Sequence, residues 1–182
     1  MEDLSLHILD IAENSIEAKA KKIKIKVVED GKKDTLSLEI ADDGKGMDKE
    51  TLKKALDPFF TTKKTRRFGL GLPLLAEAAR AANGRFFIQS KAKLGTKIKA
   101  SFQASHIDTK PLGDIAQTIV TLITGHPEVE IDYRHQVNRS YYSLSTEEIK
   151  AHLNGISINS PQVVDFIRKN LKEGIASLRR QK

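Results

Sequence analysis

Asp42-Asp43-Gly44-Lys45-Gly46-Met47 follows a run in which Leu36, Leu38 and Ile40 alternate with other residues, the period of a half-buried strand. The strand therefore delivers an acid to a tight backbone turn. Two closely spaced glycines let the chain pass close to a flat ligand. A buried carboxylate at that point can accept a hydrogen bond from an exocyclic amine, which selects adenine over guanine. Taken alone, Asp-Gly is ordinary turn chemistry. A calcium loop is a superficial alternative, but one starting at Asp42 would need Glu where Lys53 stands.

Working outward, Lys22–Glu29 alternates with Ile23, Ile25 and Val27 on one side, and Asp30-Gly31 is a hairpin signal before the next strand. Upstream, residues 3–20 place Leu4, Ile8, Ile11 and Ile16 near helical spacing. Downstream, Asp48 can cap a short helix through about Ala55. A longer helix carries Pro73 near its first turn, runs through Leu72–Ala82 and is stopped by Asn83-Gly84. Strands Arg85–Ser90 and Thr96–Gln103 follow. The order α-β-β-α-α-β-β predicts a two-layer α/β sandwich over residues 1–105, with helices on one face of a mixed, largely antiparallel sheet. Asp108–Gly113 reads as a linker to a second, small α+β segment spanning 106–182. Its expected elements are a helix Asp114–Thr124, strands Glu128–His135 and Tyr141–Leu144, a helix capped by Ser145 or Thr146, and a last helix from Pro161.

Composition narrows the function. Among 182 residues there is no cysteine, so disulfide and thiolate chemistry are excluded. No apolar run approaches the ~18 residues of a membrane span, and Met1-Glu2-Asp3-Leu4-Ser5 lacks the basic and apolar regions of a signal peptide. A cytoplasmic protein is the expectation. The net charge of +7 is uneven, with 21 Lys/Arg against 15 Asp/Glu in residues 1–105 and 10 against 9 in residues 106–182. Such an excess suits nucleic acid, an acidic partner or a bound polyphosphate. No basic stretch is interleaved with aromatic residues as a base-stacking platform would be, so nucleic acid is not the expected partner.

Three further blocks add to the Asp42 turn. Asp10 and Asn14 stand four residues apart and share a helix face. A carboxamide oxygen is a good neutral ligand for magnesium, and a carboxylate one turn away can orient or deprotonate a water. Lys63-Lys64-Thr65-Arg66-Arg67 then precedes Phe68-Gly69-Leu70-Gly71. The glycines would present backbone N–H groups at the amino end of the Leu72 helix, where phosphate is favoured. Cations on the loop before it can close over a polyphosphate.

In this order the blocks resemble the Bergerat-fold, or GHKL, ATPases: gyrase, heat-shock chaperone, histidine kinase and mismatch-repair ATPases. His7–Lys22 looks like their N-box, with Glu13-Asn14-Ser15-Ile16-Glu17-Ala18 closest to the mismatch-repair wording. Asp42–Met47 resembles the first glycine box, Asp57–Lys63 the F-box of sensor kinases, Gly69–Leu72 the second glycine box, and Gly95-Thr96 the closing Gly-Thr. The resemblance implies ATP and Mg2+ as cofactors. It implies that Asn14 ligates magnesium, that Asp42 bonds the adenine amino group, and that Gly44, Gly46 and Met47 wall the base. Thr96 would support Asp42 directly or through water. The backbone around Gly69, Leu70, Gly71 and Leu72 would meet the phosphates, with Thr62, Lys63, Arg66 and Arg67 beside them. Asp10 falls where hydrolysing members carry a general-base Glu, one methylene longer.

The same resemblance sets expectations about partners. None of His7, His106, His126, His135 and His152 is followed directly by Asp or Glu, so a phospho-accepting His in cis is not expected, and His135 and His152 read as ordinary histidines. Residues after 105 resemble no phosphotransfer or transducer domain of these families. The chain is similar to stand-alone histidine-kinase-like ATP-binding proteins of anaerobic bacteria, associated with iron hydrogenases and related electron-transfer complexes. An ATP-dependent regulator or kinase of a separate protein is therefore the leading expectation, a non-hydrolysing ATP sensor the second, and a homodimer is compatible with either. Lys24, Lys26, Lys97 and Lys99 alternate with the apolar positions of their strands. If those strands were neighbours, they would form a lysine patch for an acidic partner.

Overall fold

The computed structural model describes residues 2–57, 59 and 70–180. Its elements are α1 (Leu4–Glu17), β1 (Lys22–Asp30), β2 (Thr35–Asp42), α2 (Lys49–Lys54), α3 (Gly71–Ala81), β3 (Arg85–Ser90), β4 (Thr96–Gln103), α4 (Ile115–Gly125), β5 (Glu130–Val137), β6 (Ser140–Ser145), α5 (Thr146–His152) and α6 (Pro161–Arg180). One six-stranded sheet runs β3-β4-β2-β1-β5-β6. Every pairing is antiparallel except β1 with β5. The α/β architecture is the one expected from the sequence.

Alternation decides which face of the sheet is covered. Ile23, Ile25 and Val27 of β1 are buried, as are Leu36, Leu38 and Ile40 of β2 and Ile98, Ala100 and Phe102 of β4. Against them pack α1, through Leu4, Ile8, Ile11 and Ala12, and α3, through Leu75, Ala78 and Ala79. The reversal between β1 and β2 falls where Asp30-Gly31 signals it, although the left-handed residue is Asp34, at φ 51°.

The segment after residue 105 continues this sheet and core. The Leu4 N–H donates to the Pro111 carbonyl at 3.0 Å, tying the linker to the start of α1. Residues Ile119, Leu122 and Ile123 of α4 and Ile167 and Leu171 of α6 belong to the same apolar cluster as α1. His135 of β5 is buried between the Tyr133 hydroxyl (2.9 Å from Nδ1) and Glu29 (2.8 Å from Nε2), which accounts for it as a packed core residue.

The expected lysine patch needs correction. β2 lies between β1 and β4, so the two lysine-bearing strands are not neighbours. Glu39 of β2 sits between them and pairs with Lys97 at 2.6 Å and Lys99 at 2.9 Å.

His7 of α1 is 1% exposed, and neither ring nitrogen has a hydrogen-bond partner. Burial, reinforced by the Lys110 ammonium, pushes its pKa down to about 4. The unfolded chain takes up that proton near pH 6.5, so stability falls as pH drops from 6.5 to 4. His7→Leu should flatten this loss and raise the melting temperature by a few degrees at pH 5, since two unsatisfied polar atoms leave the core. Thermal unfolding of both proteins at pH 7 and 5 measures it. An equal pH dependence in the two would show that His7 does not cause the loss.

Candidate functional site

The site forms at one end of the helix-facing side of the sheet, where Asp42, Thr96 and Ser90 line up across three strands. Asp42 is the register partner of Thr96, and Thr96 of Ser90. The Asp42 carboxylate is held from two sides. Its Oδ2 accepts from the Ser15 hydroxyl of α1 at 2.7 Å. Its Oδ1 accepts from the Gly44 N–H at 2.9 Å and the Thr96 N–H at 3.3 Å. An ionised carboxylate offers about four acceptor positions. Three are engaged here, leaving capacity for a donor from outside.

Asp43 has a different task. Its Oδ1 accepts from the Lys21 and Lys22 N–H groups at 2.8 and 2.9 Å. Partial burial raises its pKa, but those backbone donors outweigh burial and hold it below the usual carboxylate range. It fastens the turn to the start of β1, whereas Asp42 faces the site.

The glycines act by close approach. A side chain on Gly46, at φ +62°, would overlap the Lys91 carbonyl; one on Gly95, at φ +84°, would overlap the Asp42 carbonyl. Residues 42–47 and 91–96 are thus pressed together. Gly44 lies against the Ala18 carbonyl, which accepts from the Lys45 N–H at 2.8 Å. The Met47 N–H donates to the Ser90 hydroxyl at 2.8 Å.

Asp10 and Asn14 project together from α1, with Asn14 Nδ2 3.5 Å from Asp10 Oδ2. The amino end of α3 meets them, since a Cβ on Gly71 would collide with Asp10 Oδ2 and lie 3.4 Å from Asn14 Nδ2. The N-cap residue Leu70 makes no side-chain capping bond. The structure therefore brings together Asp10, Asn14, Gly71 and the flanking Leu70 and Leu72 at one point. It brings together Asp42, Gly44, Gly46, Met47 and Thr96 at another, and Ser15, beside Asn14, links the two. Thr62, Lys63, Arg66, Arg67 and Gly69 lie outside the described residues. Among the described residues no three His, Cys, Asp or Glu side chains are grouped to hold a metal. A magnesium ion at Asn14 would take most of its oxygens from phosphate and water, which is the coordination that ion favours.

Residues 2–106 match the family described as histidine kinase-, DNA gyrase B-, and HSP90-like ATPase. The chain belongs to this family. Among its relatives, the sensor histidine kinase YvrG of Bacillus subtilis (strain 168) is 31% identical over 94 residues, covering 50% of this chain and 16% of that protein. The sensor protein kinase FleS of Pseudomonas aeruginosa is 41% identical over 58 residues, 32% of this chain and 14% of that one. The chain thus spans only about a seventh to a sixth of these relatives' length. Among solved structures, the Aquifex aeolicus MutL ATPase domain complexed with ADP is similar at a TM-score of 0.56 and 15% identity, covering 80% of this chain and 63% of that one. The N-terminal domain of a DNA repair protein gives a TM-score of 0.58 at 15% identity, covering 94% of this chain and 56% of that one. That share exceeds residues 2–106, so the likeness of fold runs into the segment behind the family match.

Two residues of this histidine-kinase-like ATPase domain escape the sequence reading. Ser15 has a signal in hindsight: it is a polar residue four positions after Ile11 on the buried stripe of α1, 4% exposed. Ser90 had none, because its role arises only from pairing. Its hydroxyl donates to the Gly95 carbonyl at 3.0 Å, lies 2.9 Å from the Thr96 hydroxyl and accepts from Met47. Thr96 supports Asp42 through its backbone N–H, while its hydroxyl goes to Ser90. No helix among the described residues is long and apolar enough to cross a membrane.

Proposed function

We propose that the chain binds Mg-ATP and uses it to regulate or phosphorylate a separate protein. The observation that carries this reading is the Asp42 carboxylate, oriented by Ser15, Gly44 and Thr96 with an acceptor position to spare. Asp42 accepts from the adenine amino group, and Gly44, Gly46 and Met47 pass beside the base. Asn14 ligates magnesium, which, when bound, neutralises charge on the phosphates. The amino end of α3, from Gly71, directs backbone N–H groups at the phosphates. Thr62, Lys63, Arg66, Arg67 and Gly69 precede it in the chain and supply hydroxyl, cations and backbone to the same anion. Asp10 holds a water for in-line attack, or orients the acceptor of a partner. The MutL domain that resembles this fold carries ADP, and the sequence relatives are sensor kinases.

The second reading is an ATP-occupied switch that does not turn over, and the reach of Asp10 is what favours it. An Asp is one methylene shorter than the Glu expected of hydrolysing members. Incubation with γ-labelled ATP, tracking free phosphate and labelled protein separately, distinguishes the two. Under the first reading Asp10→Asn should lower turnover about a hundredfold while ATP affinity by calorimetry stays within about threefold. A wild-type protein that binds ATP but releases no phosphate and labels no protein would establish the switch instead.

A further inference from the structure

The face of the sheet turned away from α1 and α3 carries cations that the ATP site does not use. The register aligns Phe87, Lys99, Glu39, Lys26 and Arg134 in one row across five strands, and Gln89, Lys97, Ala41, Lys24 and Asp132 in the next. These charges fall into two groups. Glu39 holds Lys97 and Lys99, while Asp132 and Glu147 hold Lys22 at 3.2 and 3.0 Å. Among the described residues Lys24, Lys26 and Arg134 make no ion pair. All three are exposed, and the Arg134 guanidinium lies 4.1 Å from the centre of the Tyr141 ring. Lys26 and Arg134 are direct register partners on neighbouring strands, so two like charges stand side by side on this face. The one carboxylate beside Lys26 in its row, Glu39, is engaged by the other two lysines. Three exposed cations without an ion-pair partner among the described residues are complementary to an anion outside the chain.

We infer that Lys24, Lys26 and Arg134 form a docking site for an acidic protein surface, a cluster of Asp and Glu side chains on a partner. Lys24 and Lys26 are two residues apart on one strand, about 7 Å, a separation that neighbouring carboxylates on a folded partner can match. A nucleic-acid strand fits this face less well. Glu39 and Asp132 interrupt the cation rows. The exposed aromatics Phe87 and Tyr141 stand on β3 and β6, five strand spacings or about 24 Å apart, so successive bases cannot stack on both. The face is opposite the one that holds Asp42 and α3, so a docked protein and a bound nucleotide do not compete. The inference stands whether or not the ATP reading does.

The test uses the full chain and two fluorescent probes of equal charge, a Glu-rich peptide and a single-stranded DNA oligonucleotide, read by anisotropy. Lys24→Glu/Lys26→Glu should weaken peptide binding at least tenfold, and Arg134→Glu about fivefold. Lys53→Glu/Lys172→Glu, the same change of net charge elsewhere, should weaken it less than twofold. ATP affinity should be unchanged in all of them. Lys24→Gln/Lys26→Gln carries the test, with a loss of about threefold, if the reversed pair does not fold. Undetectable peptide binding by the wild type, equal weakening by the two double variants, or tighter binding of the oligonucleotide than of the peptide would each overturn the docking site.

Discussion

Asp42→Ala is expected to raise the dissociation constant for ATP by about a thousandfold, a loss of about 4 kcal/mol, and to lower thermal stability as well. The direct loss is a charge-assisted hydrogen bond to the base, about 1.5–3 kcal/mol. The remainder comes from the surroundings. The Ser15 hydroxyl and the Gly44 and Thr96 N–H groups all donate to this carboxylate, and alanine leaves three donors without that acceptor. Gly44 and Thr96 belong to the two loops that Gly46 and Gly95 hold in contact, so relaxation around one donor moves the walls of the pocket. Asp42→Asn separates the effects. Its carbonyl oxygen can still serve Gly44 and Thr96, so most stability should return, but its amide presents a donor to a donor and ATP affinity should stay low. Calorimetric titration with ATP and thermal unfolding of both variants measure the two quantities. ATP binding by Asp42→Ala within threefold of wild type would remove this residue from the base.

The difference between Asp42 and Asp43 shows where sequence reasoning reaches its end. Alternation placed Leu36, Leu38 and Ile40 on the covered face, so the next residue of the same parity, Asp42, had to point toward the helices. That is local information, and it is legible. The strand limits of β3 and β4, the start of α6 at Pro161 and the capping of α2 by Asp48 and of α5 by Ser145 are legible for the same reason: turn residues and caps act over three or four positions. What the sequence does not carry is strand order. β2 pairs with both β1 and β4, and only that nonlocal fact puts Glu39 between the lysines and Ser90 beside Thr96. The parallel pairing of β5 with β1 is nonlocal too. It merges the segment after residue 105 into the first sheet, although its composition and the linker before it suggest a separate unit.

Gly71→Val should be the second severe substitution, and its logic is a collision rather than a missing bond. At Gly71 an ideal Cβ would overlap the Asp10 carboxylate and come within 3.4 Å of the Asn14 amide. Relief requires Asp10 to swing away or the first turn of α3 to retreat. Either movement separates the helix amino end from the residues proposed to hold magnesium and water. Backbone N–H groups displaced by an ångström from a phosphate oxygen leave hydrogen-bonding range. Losing two charge-assisted bonds at about 1.5–3 kcal/mol each lowers ATP affinity by a factor of about 10² to 10⁴. The companion variant Asp10→Gly/Gly71→Val identifies the cause. With the carboxylate gone the valine has room, so the stability lost in the single variant should largely return. The double-mutant cycle should then show a coupling of about 1–3 kcal/mol between the two positions. Thermal unfolding of the four proteins gives that coupling, and additive losses would mean that Gly71 is required for the course of α3 and not for its contact with Asp10. Asn14, on the same face one turn along, is the internal control. Asn14→Ala in the Gly71→Val background should restore little stability, because the amide is only brushed where the carboxylate is struck.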